Sequence, residues 1–260
     1  MASRGRPGAA GAAARGTCAP AGRYDRRMST LMHTHWVPLG PEGFDGFLVL
    51  PPAGTGPGLL LWQEIFGVNG HIRRVAEQYA LAGFTVLAPD VFWRSERRVE
   101  LGYGSDDMQR GRALKDAIAP DALRADIQAA AAALRARPET AGGKIGALGY
   151  CLGGRLAYLS AAHADVDAAV AYYGGGIHDQ LAAAPGIRGA LQFHYAEHDG
   201  HIPLDAVARV REATARPGNQ LHVYPDTQHG FNCWSRDSYQ PAASALALGR
   251  SVAFLAERLF

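Results

Sequence analysis

Cys151 has the sequence surroundings of a nucleophile. It lies in the segment GYCLGG (149–154), which follows an apolar run at 145–150 and precedes a stretch of helical character. This is the strand–turn–helix context that holds a nucleophile on a sharp bend, and glycines two positions away leave room where Cβ atoms would clash. The helix N-terminus would favour the thiolate. The motif predicts a catalytic cysteine, and a buried cysteine in a structural turn is the alternative.

Two later loops supply an acid and a base for this thiol. Asp199 follows the apolar run 190–195, and His229 follows the run 221–224. In catalytic triads on open α/β sheets the nucleophile comes first in the chain, followed by the acid and then the histidine. The acid and the histidine lie on loops that follow strands. Asp199 would orient the imidazole, which would take the thiol proton. Asp226 is a weaker candidate for the acid because it is so close in sequence to His229.

Three further histidines have spacings that superficially suggest a metal site. His194 belongs to a predicted strand, whereas His198 and His201 lie in the following loop, and no HExxH motif accompanies them. We therefore expect no metal, and the predicted chemistry requires no cofactor.

The elements that must position these residues alternate between strands and helices. Short apolar runs, mostly continuous rather than alternating, predict strands that are buried on both faces. The runs are 33–37, 46–50, 58–62, 84–88, 145–150, 168–173, 190–195 and 221–224. With helices between them, they predict an α/β fold: a mostly parallel sheet of about eight strands with helices on both faces. The first two strands are expected to form an antiparallel edge pair.

Apolar residues at helical spacing predict the helices. The predicted spans are 71–82, 121–136, a helix from Leu152, about 204–214, and 241–259. Asn69 is available to cap the first, and Pro138 should stop the second. The buried stripe of the last helix is predicted at Leu248, Val252, Leu255 and Leu259.

One long polar connection stands apart from this alternation. Residues 94–120 separate a strand from a helix and hold two glycines beside Tyr103. Connections of this length are usually functional or mobile. We expect this one to contribute the rim of a pocket.

Composition and charge narrow the class of protein. The chain has 260 residues, which suits one domain, with 48% hydrophobic and 19% charged residues. A formal net charge of +2 gives no reason to expect nucleic acid or a membrane as partner. Three cysteines are an odd, sparse set that suits a reducing compartment. We expect a cytoplasmic protein, a monomer or small homo-oligomer, whose partner is a small-molecule substrate.

Residues 1–28 differ from everything after them. They are rich in Ala, Gly and Arg, and Asp25 is their only acidic residue. Because they hold almost no large apolar side chain, we expect a disordered leader before a single domain at 29–260. An over-long start, with Met28 or Met32 as the initiator, is an alternative, and an Arg-rich organelle transit peptide is a less favoured one.

Five segments together resemble the dienelactone hydrolase family. They are WQEIFGVN (62–69), APDVFWR (88–94), GYCLGG (149–154), AEHDGHIP (196–203) and HGFN (229–232). The resemblance runs from about residue 40 to the C-terminus. It implies an α/β-hydrolase fold and a place beside the carboxymethylenebutenolidases, which open dienelactones to maleylacetate.

The resemblance also implies roles for residues near the thiol. Glu64 matches a glutamate that contacts the nucleophile and helps to deprotonate it as substrate binds. Its place directly after an apolar strand agrees with a position in the site. The backbone N–H groups of Ile65 and Leu152 would form the oxyanion hole.

Substrate recognition is implied at a small set of residues. Arg94 matches an arginine that binds the substrate carboxylate, a task suited to the two-pronged guanidinium. The family's second arginine, four residues after the catalytic histidine, is replaced by Cys233, and Arg236 is the candidate substitute. The expected apolar walls are Trp93, Trp234 and Tyr173, and a place in the core is the alternative for each.

The sequence therefore predicts a cysteine-dependent hydrolase of a small ester or lactone, and the resemblance implies a dienelactone-like substrate. A carboxylesterase of broader specificity with the same fold is the first alternative. A non-catalytic small-molecule binder or thiol redox sensor is an alternative of another class. The combination of Cys151, Asp199, His229 and Glu64 argues against it, because a binder needs no triad.

Overall fold

Apolar strands pair into one sheet that forms the framework of the protein. The computed structural model describes residues 1–2, 32–40 and 43–260. The strands of this part are β1 (Thr34–Pro38), β2 (Asp45–Val49), β3 (Gly56–Trp62), β4 (Thr85–Pro89), β5 (Thr140–Tyr150), β6 (Ala168–Tyr172), β7 (Ala190–Ala196) and β8 (Gln220–Tyr224). Their order across the sheet is β1-β2-β4-β3-β5-β6-β7-β8. All eight predicted strands are present, and only the start of β5 differs from its prediction by more than two residues.

The sheet is antiparallel at one edge and parallel elsewhere. β1 pairs with β2 and β2 with β4 in antiparallel register, which confirms the predicted edge pair. All other neighbouring strands are parallel. β3, β4 and β6 are buried along their whole length, which explains why their sequences are continuous apolar runs. Because these strands run in parallel, their carboxyl ends lie along the same edge of the sheet, which is where α/β folds bind their ligands.

The predicted helices are present within one residue of their predicted bounds. Asn69 caps the first, since its side-chain oxygen accepts a hydrogen bond from the Ile72 N–H at 3.2 Å. The helices of the described residues are α1 (Gly70–Leu81), α2 (Ser105–Asp116), α3 (Pro120–Arg135), α4 (Leu152–His163), α5 (Leu204–Ala213) and α6 (Pro241–Leu259).

Helix α2 lies inside the long polar connection and was missed by sequence reasoning. Gly111 is its only buried residue, so it carries no apolar stripe to indicate a helix. Asp106 and Asp107 in its first turn and Lys115 in its last turn complement the helix dipole instead. The helix is thus supported at its ends and exposed along most of its length.

The buried face of α6 differs from the predicted stripe. Leu255 and Leu259 are buried as predicted, whereas Leu248 and Val252 are only half-buried. The polar Ser251 is fully buried. Its hydroxyl bonds the Tyr172 hydroxyl at 2.7 Å and the imidazole of His194 at 3.0 Å. The predicted stripe is wrong because a hydrogen-bonded serine takes a buried position at which helical spacing predicts an apolar residue.

The connection from β5 to α4 is a close backbone crossing. A Cβ added at Gly149 would lie 2.1 Å from the Gly153 carbonyl oxygen, and one added at Gly153 would lie 2.1 Å from the Trp62 carbonyl oxygen. No side chain fits at such distances. The glycines on either side of Cys151 are therefore required by contact between strand and helix, as the motif predicted.

The expectations for the leader fall almost wholly outside the described residues. Apart from residues 1–2, positions 1–28 belong to the part that the structure does not describe. The described residues from Met32 to Phe260 form one compact unit. No helix among the described residues has the length and apolar character needed to cross a bilayer.

Replacing Gly153 with alanine tests the crossing. Gly153→Ala should lower the free energy of unfolding by about 3 kcal/mol, because the new Cβ would collide with backbone that cannot move aside cheaply. Gly249→Ala in α6 is the matched control, since a Cβ there meets nothing within 4 Å. The control should be neutral or stabilising by up to about 1 kcal/mol, because alanine favours helix over glycine. Equal urea unfolding curves for the two variants would contradict this account.

Candidate active site

Cys151 sits between β5 and α4 in a strained backbone conformation. Its φ is 55° and its ψ is −114°, a region that non-glycine residues rarely adopt. The conformation is held by the close crossing described above and by a 3.0 Å hydrogen bond from the Cys151 N–H to the Tyr172 carbonyl. The residue is half-buried and lines a cavity at the start of α4. The predicted nucleophile is thus presented at the N-terminal end of a helix.

Asp199 and His229 form a hydrogen-bonded pair on the loops after β7 and β8. The His229 Nδ1 and Asp199 Oδ2 atoms are 2.7 Å apart, and the Asp199 side chain is fully buried. The other carboxylate oxygen accepts a 2.8 Å hydrogen bond from the His201 N–H. Asp199 therefore fixes the orientation of the imidazole, as expected. The weaker candidate, Asp226, is exposed, and Asp199 holds the position beside the histidine.

The surroundings of His229 favour its protonated form. Burial by itself would lower the pKa of His229. The negative charge of the Cys151 thiolate and the hydrogen bond to Asp199 outweigh burial and raise this pKa to about 10. At neutral pH the imidazole is therefore charged when it faces a thiolate.

Glu64 is a buried carboxylate directly after β3. Its Oε1 accepts a 3.3 Å hydrogen bond from Arg236 Nη1, and its Oε2 accepts a 3.2 Å bond from the Tyr103 hydroxyl. The side chain of Asn69 donates to the same hydroxyl at 3.3 Å. Burial raises the pKa of Glu64, and the nearby positive charges of Arg236 and His229 oppose that rise. One carboxylate is thus held in place by a cation and a phenol.

A cavity of about 500 Å³ collects the predicted residues. Cys151, His229 and Arg236 line it, together with Ile65 and Leu152, the two residues predicted to form the oxyanion hole. The N–H of Leu152, as the first residue of α4, has no acceptor within its own helix. The rim comes partly from α2, within the 94–120 connection that was predicted to supply it. The α2 residues in the wall are Met108, Arg112, Lys115 and Asp116.

Trp93 and Arg94 are not among the residues that line this cavity, so the walls of the cavity give no support to their predicted substrate contacts. Arg94 forms an ion pair with Asp126 of α3, and its guanidinium stacks over the Trp93 ring at 4.2 Å. Trp93 Nε1 donates to the same carboxylate at 3.1 Å. Asp126 therefore holds both side chains beside α3, and neither is among the residues that line the cavity.

Tyr173 is also not a wall of the cavity. It is fully buried, and its ring lies 5.0 Å from the His229 ring and 5.5 Å from the Phe231 ring, measured between centroids. Tyr173, which directly follows the end of β6, therefore packs against the imidazole and supports it.

Sequence reasoning missed several residues of the site. Arg155 lines the cavity one helical turn after Cys151, and its Nε is buried without a hydrogen-bond partner among the described residues. Its position immediately after GYCLGG was a usable signal. The sequence around Tyr103 is distinctive only for the flanking glycines, and its bond to Glu64 joins residues 39 apart in sequence. No local pattern indicates such a contact.

Comparison with known proteins assigns the chain to a family. The model of the dienelactone hydrolase family matches residues 44–259. The chain belongs to the dienelactone hydrolase family. It is 36% identical over 215 residues to the carboxymethylenebutenolidase of Pseudomonas putida, covering 81% of this chain and 90% of the relative. The carboxymethylenebutenolidase of Pseudomonas sp. strain P51 is 35% identical over 220 residues, covering 83% and 91%.

Solved structures agree with this assignment. A candidate dienelactone hydrolase from Klebsiella pneumoniae superposes with a TM-score of 0.75 at 25% identity, covering 87% of this chain and 99% of the other. The dienelactone hydrolase from Anabaena variabilis gives 0.62 at 20% identity, covering 88% and 98%, and shares the fold. This member of the dienelactone hydrolase family has the α/β-hydrolase fold and is a carboxylic ester hydrolase.

The raised pKa of His229 predicts a pH-dependent contribution to stability. The folded-state pKa, about 10, lies above the ordinary value of 6.5, so the folded state binds this proton more tightly. The contribution is complete below about pH 6.5 and is lost as the pH rises towards about 10. We expect the unfolding free energy of the wild type to exceed that of His229→Gln most at the acid end of pH 6–10. A difference that is constant across this range in urea titrations would refute the assignment.

Proposed function

We propose that this enzyme hydrolyses a small ester or lactone through a covalent thioester on Cys151. The thiolate attacks the carbonyl carbon, and the N–H groups of Ile65 and Leu152 hold the resulting oxyanion. Protonated His229 donates its proton to the leaving oxygen as the ester bond breaks. His229 then takes a proton from water, whose hydroxide attacks the thioester and releases the acid.

One observation carries the proposal. Cys151, which has a positive φ at the turn between β5 and α4, lines the same cavity as His229. The Nδ1 atom of His229 is 2.7 Å from the buried carboxylate of Asp199. This arrangement supports a nucleophile, a base and an orienting acid in the roles of a triad. Ile65 and Leu152 line the same cavity, which supports their role as oxyanion donors.

Glu64 is proposed to help activate the thiol when substrate arrives. Its carboxylate is paired with Arg236, which also lines the substrate cavity. An anionic group on the substrate would compete with Glu64 for that guanidinium. A buried carboxylate that loses its cation becomes a stronger base, because burial already disfavours its charged form. Substrate binding would thereby promote transfer of the Cys151 proton to the Glu64 carboxylate, which leaves the thiolate facing His229.

We propose a carboxylate-bearing lactone of the carboxymethylenebutenolide type as substrate, with a maleylacetate-type product. The names of the Pseudomonas relatives support this choice. Cationic side chains around the cavity also support it, since they favour a negatively charged ligand: Arg112, Lys115, Arg155 and Arg236.

A carboxylesterase of broader specificity is the second candidate. Arg94 is engaged with Asp126 outside the cavity, and Cys233 stands where the family pattern has its second arginine. Neither of the two arginine positions that the resemblance connects with substrate therefore offers a free guanidinium to the cavity. This arrangement favours a wider substrate range, with Arg236 as the main anion contact.

Removing the thiol tests the covalent mechanism. Cys151→Ala should lower the turnover of short-chain esters and lactones by at least about a thousandfold. Cys233→Ala is the matched control, because it removes a buried thiol with no proposed part in hydrolysis, and it should keep most activity. Mass spectrometry of quenched wild-type enzyme should show the acyl group on Cys151. Retention of more than about a tenth of the activity in Cys151→Ala would exclude covalent catalysis by this residue.

Removing arginines tests substrate charge. Arg236→Ala should lower the ratio of kcat/KM for an anionic lactone to kcat/KM for a neutral ester by about tenfold to a hundredfold, the value of one charge-assisted hydrogen bond. A loss of activity that comes from leaving Glu64 without its cation would affect both substrates equally and would not change this ratio. Arg94→Ala should leave the ratio unchanged, because Arg94 lies outside the cavity. An unchanged ratio for Arg236→Ala would favour the broader esterase, and a fall for Arg94→Ala would return that residue to the site.

A further inference from the structure

Three metal-binding side chains of different chemistry converge beside the proposed catalytic residues. They are the carboxylate of Glu64, the imidazole of His71 and the thiol of Cys233, and their donor atoms all lie within 4.8 Å of one another. Each residue is at most 4% exposed. They come from the loop after β3, the first turn of α1 and the loop after β8. The proposed hydrolysis uses Glu64 but gives no task to His71 or Cys233.

His71 is the unexplained member of this cluster. Both of its ring nitrogens are buried without a hydrogen-bond partner among the described residues. Buried polar groups are almost always bonded, since an unbonded one loses its hydration without compensation. The ring packs edge-on against Trp234, with centroids 4.2 Å apart. An imidazole binds a metal ion through a ring nitrogen of its neutral form.

We propose that Glu64, His71 and Cys233 bind a zinc ion, and that zinc bound there inhibits the enzyme. Zinc accepts oxygen, nitrogen and sulfur ligands together. It holds them at about 2.0–2.3 Å in a tetrahedral array, which places donor atoms about 3.3–3.8 Å apart. Donors within 4.8 Å of one another reach that geometry through small side-chain movements. A water molecule would supply the fourth ligand.

The charges of the cluster fit a divalent ion. Zinc binding releases the thiol proton of Cys233 to solvent, because the ligand is the thiolate. One thiolate and one carboxylate then balance the two positive charges, and the imidazole is neutral. The buried site is left without net charge, which is the state that a buried ionic group requires.

Arg236 would compete with the zinc ion for the Glu64 carboxylate, and it lines the cavity from which the ion would enter. Its guanidinium, 3.3 Å from Glu64, is the present counter-charge of that carboxylate. Arg236 and Tyr103 also line a neighbouring cavity of about 560 Å³. An ion arriving from this cavity would displace the guanidinium, whose long side chain can turn towards the cavity. Zinc would then occupy the place that the arginine charge holds.

Inhibition follows from the loss of Glu64. As a zinc ligand, the carboxylate can no longer take part in activating Cys151, and turnover falls. This consequence rests on the proposed function, whereas zinc binding itself does not. The two parts therefore need separate measurements.

Cobalt absorption tests the binding site without any use of activity. Cobalt(II) replaces zinc in tetrahedral sites, and its bond to a thiolate gives a charge-transfer band in the near ultraviolet. The 260-residue chain with Cys18→Ala and Cys151→Ala keeps Cys233 as its only cysteine. We expect the band in this protein, its loss on adding Cys233→Ser, and at least about tenfold weaker cobalt affinity on adding His71→Phe. Phenylalanine retains the ring packing against Trp234. No band, or a band that survives Cys233→Ser, would overturn the proposal.

Inhibition by zinc is measured on protein with its catalytic residues intact. Zinc should inhibit the wild type reversibly, with activity restored by a chelator. Cys233→Ala and His71→Phe should each need at least about tenfold more zinc for half-inhibition. His198→Ala removes a ligand from an exposed group that also contains Glu197 and Asp226, and it should leave the inhibition unchanged.

The outcomes separate the two proposals. Undiminished zinc inhibition in both Cys233→Ala and His71→Phe would place the inhibitory ion at Cys151 and His229 and overturn the inhibitory role of the cluster. A wild-type protein that hydrolyses no ester would refute the proposed function, and the cobalt band would still decide the metal site.

Discussion

The contact between the end of β5 and the start of α4 is the constraint on which the site depends. Strand and helix meet backbone to backbone, with no room for a side chain at Gly149 or Gly153. The residue between them must take a positive φ, and Cys151 does so at 55°. Because Gly153 touches the Trp62 carbonyl, the same contact fixes the end of β3. Glu64, two residues later, is therefore placed by the crossing that presents the thiol.

Local patterns were sufficient to predict the frame of the protein. The strands could be predicted because a sheet buried on both faces demands continuous apolar runs, and the cap at Asn69 because its side chain bonds a backbone N–H only three residues away. The positions of Cys151, Asp199 and His229 follow from chain order and strand ends. Each of these signals is carried by a few neighbouring residues or by the order of elements.

Features that depend on distant partners could not be predicted. The resemblance implies a substrate contact for Arg94, yet its guanidinium forms an ion pair with Asp126, 32 residues later on α3. The burial of Ser251 depends on two partners from the sheet, Tyr172 and His194. In both cases a long-range polar contact outweighs what the local sequence favours. Only the folded arrangement reveals which partner a charged or polar side chain has found.

Helix α2 has a consequence for how this enzyme can diverge. It supplies part of the cavity wall, yet only Gly111 on it is buried, and that glycine lies against the Ile65 carbonyl. Met108 and Leu114 are half-buried and pack against the core. Most of its other side chains are exposed and can change at little cost in folding free energy. The residues proposed to act in hydrolysis lie on other elements and are untouched by such changes. Mutation along this helix therefore offers a route to new substrate preferences at small cost in stability, while Gly111 keeps the helix seated beside the reactive centre.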